Sequence, residues 1–181
     1  MTTRKGKMNI IWSLIGILIM AAWLIMPSAQ VEAETVTVKF RVTSYVVRLE
    51  AIPVEDVEGH VLLVVMRRGL ASFETGETAK WEAWVTADFI KGKGPLQGYT
   101  KFIYQDGSTT IGKVEGFHEP TPDGKMLYKG TSEYTKGTGR FEGIKGSFSY
   151  TGKGLTPYSK EKGLMSDTYF DCIATYSLPR K

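Results

Sequence analysis

The chain has 181 residues, with 23 Lys and Arg against 19 Asp and Glu, a net charge of +4 and a single cysteine. One cysteine excludes an internal disulfide framework and a paired-cysteine metal motif, so a folded domain must rest on its apolar core. Basic and acidic residues are interspersed as on a solvated surface. With Arg4, Lys5, Lys7 and Glu32 set aside, 20 basic residues face 18 acidic ones, a net charge of +2, which argues against a nucleic-acid partner.

Arg4, Lys5 and Lys7 precede an apolar run of 19 residues, Met8 to Met26, broken by Asn9 and Ser13. Pro27-Ser28-Ala29 and Val31-Glu32-Ala33 then supply a helix breaker and small residues. This order predicts a secretory signal peptide over residues 1–33, cleaved after Ala33, and an exported domain, 34–181, that is secreted or periplasmic. An uncleaved anchor formed by residues 8–26 is the alternative, because a spanning helix needs about 20 apolar residues. The membrane enters only through this segment.

Beyond residue 33 no helical period is sustained, and period-two alternation dominates. Val36, Val38, Phe40 and Val42 alternate with Thr37, Lys39 and Arg41; the phase then moves to Tyr45, Val47, Leu49 and Ala51, which predicts a bulge or bend. His60 to Arg68 is apolar in both phases up to Arg67, so cover on both sides is expected. In the next strand Ala79, Trp81, Ala83, Val85, Ala87 and Phe89 form one face, and Lys80, Glu82, Trp84, Thr86 and Asp88 the other. Leu96–Tyr104 and Thr109–His118 flank Asp106-Gly107, a strong hairpin signal. Met126–Thr135, Gly146–Gly154 and Ser166–Leu178 complete eight strands. The longer links are predicted over 68–79 and 154–166. An all-β fold is expected: a single antiparallel eight-stranded up-and-down barrel, with a two-sheet sandwich as the alternative. Gly98, Gly112, Gly116 and Gly130 within strands favour the barrel, since glycine permits sharp curvature.

The stretch from Gly137 to Gly146, Gly-Thr-Gly-Arg-Phe-Glu-Gly-Ile-Lys-Gly, places four glycines in ten positions between two strands. Gly137, Thr138, Gly139, Gly143 and Gly146 predict a tight corner with Phe141 as a plug into the core. This stretch resembles the Gly-Thr-Gly-basic-Phe-x-x-x-basic-Gly turn of the allene oxide cyclase and dirigent superfamily, with Arg140 and Lys145 at the basic places. Ser147 to Gly152 is similar to bacterial avidin-like or calycin-like proteins. The resemblance covers about 16 residues of motif and implies an eight-stranded antiparallel barrel in a bacterial-type secreted member. It implies two activities as precedents: cyclisation of a fatty-acid epoxide in an apolar cavity, and steering of phenoxy-radical coupling. Neither uses a metal or organic cofactor, and the matching motif carries no catalytic residues.

His118 shares a phase with Gly112, Val114 and Gly116, so in a barrel it hangs at one mouth of a roomy lumen; it is the candidate general base. The other reading is a solvated histidine beside Pro120. Two histidines, His60 and His118, without a carboxylate cluster do not predict a metal site. Arg67 and Arg68 read as a surface pair, the alternative being that one holds a ligand carboxylate. Glu115 points away from His118, and Glu142 is expected to neutralise Arg140 or Lys145. Cys172 reads as a small buried hydrophobe. Trp81, Phe102, Tyr128, Phe148, Tyr150, Tyr176 and His118 are the candidate ligand-binding residues, with Tyr99, Tyr104 and Tyr134 as further lining.

Three functions remain open. The first is a secreted barrel binding a small apolar or aromatic ligand in its lumen or mouth, without a cofactor. The second is a cofactor-free cyclase or isomerase acting on an apolar substrate. The third is a solid barrel that forms a homo-oligomer through its outer face around Trp84.

Overall fold

A computed structural model describes residues 34–155 and 167–180. The signal-peptide or anchor expectation for residues 1–33 falls outside the described residues. Eight strands succeed one another in chain order: β1 Thr35–Pro53, β2 His60–Phe73, β3 Thr78–Ile90, β4 Gly94–Tyr104, β5 Thr109–Pro120, β6 Met126–Thr138, β7 Lys145–Gly154 and β8 Thr168–Ser177. Each pairs antiparallel with the next, and β8 returns to β1, closing the barrel. The sandwich alternative is thereby excluded, and the barrel implied by the Gly137–Gly146 resemblance is the fold observed.

The link expected over 68–79 is a correction. β2 continues through Gly69 to Phe73, and only a short turn precedes Thr78. Gly69 is not a breaker here. A Cβ at this position would lie 2.1 Å from the Thr43 carbonyl oxygen, so glycine lets β1 and β2 approach closely. The bulge predicted in β1 exists, with the register shifting between Val46 and Arg48. It falls later than the sequence pattern suggests, since Tyr45 still points outward and Val46 inward.

The cover expected on both sides of 60–68 is also corrected. Leu63 and Arg67 are buried, whereas Leu62 and Val64 are exposed. A barrel wall has one inner face, and among the described residues nothing covers the outer side of Leu62 and Val64. Cross-strand rows explain the filling of the lumen. In one row Gly94, His118, Tyr128, Gly152 and Phe170 are successive partners, so each large ring has a glycine beside it. Glycine is required at 152, where a Cβ would stand 2.5 Å from the Phe170 ring.

The end bearing the β2–β3, β4–β5 and β6–β7 turns is solid. Phe40 packs against Phe73 at 5.0 Å and Phe102 at 5.5 Å between ring centroids, and Phe102 meets Phe148 edge-on at 5.8 Å. Tyr134 and Tyr176 extend this aromatic stack. The Gly137–Gly146 corner closes the same end. Gly139, Gly143 and Gly146 adopt φ of +62°, +75° and +129°, and Gly139–Phe141 forms one 3-10 turn. Phe141 is buried as predicted, 4.5 Å from the Tyr104 ring. Arg140 lies over both rings and pairs with Glu77 and Asp106; the expected neutralisation by Glu142 is not what the fold uses.

Candidate binding site

Toward the opposite end, where the β1–β2, β3–β4 and β5–β6 turns lie, the described residues leave the filling incomplete. A cavity of about 50 Å³ remains, lined by Val42, Trp81, Val85, Leu96, Val114 and Phe170, with Arg67, His118, Thr100, Tyr150 and Cys172 as its polar contributors. The row containing Arg67 accounts for it. The successive partners Val46, Arg67, Ala83, Thr100 and Gly112 set one long side chain against small ones.

Arg67 is the correction with most consequence: it points into the lumen and is buried, while Arg68 lies outside and pairs with Glu82 at 3.3 Å. Arg67 Nε donates to Ser44 Oγ at 3.2 Å. Its guanidinium carbon stands 5.9 Å from the Tyr128 centroid and 5.8 Å from that of Phe170, a cation–π arrangement with two neighbouring rings. Burial lowers its pKa, while attraction and a hydrogen bond to Tyr128 and the charge of Asp167 act the other way. A guanidinium remains charged at neutral pH.

His118 sits in the lumen phase, as predicted, half-buried rather than solvated. Its ring meets Tyr128 edge-on at 4.4 Å and Phe89 at 5.9 Å. Burial, then the Arg67 charge, push its pKa down to about 3, so it is neutral at pH 7. So weak a base suits hydrogen bonding better than proton abstraction, for which a pKa near the working pH is best.

The other candidates divide by height in the barrel. Trp81, Phe148 and Tyr150 line the cavity, and Tyr128 joins Arg67 to His118. Phe102 and Tyr176 belong to the packed aromatic end with Tyr104 and Tyr134. Tyr99 does not line the lumen; it is exposed on the outer wall. The Tyr150 hydroxyl occupies room that Gly116 and Gly130 leave, since a Cβ on either would fall within 2.2 and 2.6 Å of it. Burial raises the pKa of Tyr150, and likewise that of the Cys172 thiol, which is buried and free. A thiol held protonated in this way is inert packing, as the sequence suggests. Glu115 pairs outward with Lys113 at 2.8 Å.

His60 has partners that the sequence does not reveal. Its Nδ1 faces Asp56 and its Nε2 lies 2.7 Å from Asp88 Oδ1, which clips the β1–β2 turn to β3. The i, i+4 spacing of Asp56 and His60 is the only local signal. Among the described residues no cluster of His, Cys, Asp or Glu is arranged to hold a metal ion.

Fold and site together define a small closed antiparallel β-barrel with a solid aromatic end and a partly open lumen. No family model matches the sequence, and no curated protein matches it. Among solved structures, the chain is similar to the pterocarpan synthase dirigent protein GePTS1, with 11% identity and a TM-score of 0.46 over 84% of this chain and 96% of that one.

Proposed function

We propose that this protein is an exported barrel that binds a small, largely apolar ligand in the open half of its lumen, without a cofactor. The observation that carries the reading is the contrast between the two ends: rings fill one, and an apolar cavity with convergent polar groups remains at the other. Such a combination is the usual form of a ligand site. At about 50 Å³ the cavity accommodates a few heavy atoms, well below the ~300–1,000 Å³ of sites for drug-sized molecules. The ligand is therefore small, or it leaves its tail among Leu63, Phe89 and Leu96, which cluster toward the mouth. Native mass spectrometry of protein recovered from an exporting host without detergent tests this. Extra mass released on denaturation, identified as a small apolar compound, is expected. A bare mass, with no response of Trp81 fluorescence to apolar probes, would overturn it.

A second reading concerns the outer wall and is favoured by one row of side chains. Arg48, Met66, Trp84, Tyr99 and Lys113 are successive cross-strand partners, all facing outward. The next row is Glu50, Val64, Thr86, Gln97 and Glu115. The two rows line an open trough of about 730 Å³. We infer that a second copy of the chain covers it. A two-fold axis running between the rows sets each row against the other in the partner, so Arg48 meets Glu50, Lys113 meets Glu115 and Met66 meets Val64. Self-complementarity of this kind is what an isologous interface requires.

A further inference from the structure

The lumen-binding reading extends to the chemistry of the ligand, and the ligand class assigned below rests on that reading. Three of the polar side chains on the cavity wall are engaged within the protein. Arg67 is held by Ser44 and Tyr128. Thr100 Oγ1 lies 3.2 Å from Ser132 Oγ and 3.5 Å from the Gly112 carbonyl oxygen. The Cys172 thiol faces the Phe170 carbonyl oxygen at 3.7 Å. Tyr150 and His118 differ. Tyr150 is only 8% exposed, yet its hydroxyl makes no hydrogen bond to a described residue, and neither do the ring nitrogens of His118. A buried hydroxyl in this state has given up its bonds to water and gained none from the protein.

The strand rows bring these two groups to one side of the lumen. Gly116, Gly130 and Tyr150 are successive partners, and the Tyr150 ring crosses both glycines. Its hydroxyl therefore reaches β5, at Gly116, one inward position before His118. Both residues line the cavity. Burial keeps the phenol protonated, so it has an O–H to give, and the neutral imidazole has one N–H. Two donors on one side of an apolar space suit an acceptor oxygen with two lone pairs and no proton of its own.

We propose that the ligand is an uncharged carbonyl compound: its oxygen is received by the Tyr150 hydroxyl, with the His118 N–H as the second donor, and its hydrocarbon part lies between Trp81, Val85, Leu96 and Phe170. Those four residues supply no charged group that would oppose a hydrocarbon chain or ring. Arg67 keeps its own contacts and takes no part.

The test compares 2-octanone with 2-methyl-1-octene, in which a methylidene group replaces the carbonyl oxygen, and with 2-octanol. The protein is that recovered from an exporting host, read by Trp81 fluorescence in a Trp84→Phe background and by calorimetry at neutral pH. Tyr150→Phe should weaken the ketone about tenfold and leave the alkene as it was, since only the ketone loses a bond. The alcohol should bind the wild type more weakly than the ketone. The carbonyl stretch of bound ketone should lie lower in the wild type than in Tyr150→Phe. Without ligand, Tyr150→Phe should melt no lower than the wild type, because the hydroxyl it removes has no bond to lose. Ketone and alkene responding alike to folded Tyr150→Phe would overturn the carbonyl assignment and leave lumen binding standing. An alcohol that binds as tightly as the ketone, or a carbonyl stretch that the variant does not move, would do the same. A clear fall in the melting temperature of ligand-free Tyr150→Phe would show that the hydroxyl serves the fold, and would also overturn it. If none of the three compounds binds, the lumen-binding reading falls, and the assignment falls with it.

Discussion

His60 and His118 are perturbed in opposite directions, and their effects on stability fall in different pH ranges. The Asp56 and Asp88 carboxylates raise His60 above 6.5. Its contribution is complete below 6.5 and is lost as pH rises through the folded value. Asp56 is lowered from 3.8, chiefly by the same contact, so its share is lost only as pH falls further. His118 behaves in the reverse sense. The unfolded chain takes up a proton near 6.5 and the folded one only near 3, so acidification through this interval destabilises the barrel. Melting temperature against pH should separate the two. The deficit of His60→Asn should be greatest between about 4 and 6.5 and should shrink above. His118→Gln should gain on the wild type as pH falls from 6.5 toward 3. A His118→Gln difference that is flat across that interval would mean that the imidazole protonates freely in the folded state. Sequence reading reaches His118 and Trp81 because clean alternation fixes their face. It misplaces Arg67, since a charge ending an apolar run marks a strand leaving the core. The missing information is the continuation through Gly69 to Phe73, which makes Leu63, Arg67 and Ala71 one inward phase.

At the scale of elements, the corner between β6 and β7 is where local sequence and tertiary packing agree most closely. Its glycines are explained by the turn itself: at Gly137 a Cβ would lie 1.9 Å from the Phe141 carbonyl oxygen, which leaves no room for another residue. Phe141 then inserts between Tyr104 and Tyr176, at the solid end. Phe141→Ala should cost about 3–5 kcal/mol, measured by denaturant unfolding, because a packed aromatic end cannot collapse onto the void. A near-neutral result would show the corner to be loose. The corner is legible because glycine density is a backbone signal that needs no partner. The position of the β1 bulge is not, since Tyr45 and Val47 differ only in what covers them. Nor is the His60 clip legible, because Asp88 lies 28 residues away and meets it only through the β2–β3 register.

For the whole molecule, the open question is what faces the outer wall of β1–β5. Trp84 and Tyr99 are 40% and 51% exposed and adjacent across β3 and β4, too much aromatic surface for chance scatter on one face. Analytical ultracentrifugation of the wild type should show a dimer at micromolar concentration, and Trp84→Glu should shift it to monomer without changing the melting temperature of dilute protein. A wild type that remains monomeric at every accessible concentration would remove the second reading and leave the lumen site untouched. Eight strands with a covered inner face are evident from the sequence. Whether the lumen is open is not, because that depends on which large residues share a row with glycine or alanine across the wall.

The seam between β1 and β8 has a topological consequence. Thr35 lies opposite Ser177, so the first and last strands of the barrel begin and end side by side, and every other pairing joins strands adjacent in the chain. The strand order around the wall is therefore a cycle with a single cut. Any hairpin turn could serve as that cut if the present one were sealed, and the same rows of side chains would meet across the same ladders. The position of the break is an accident of the gene's ordering. What the packing encodes is a circle.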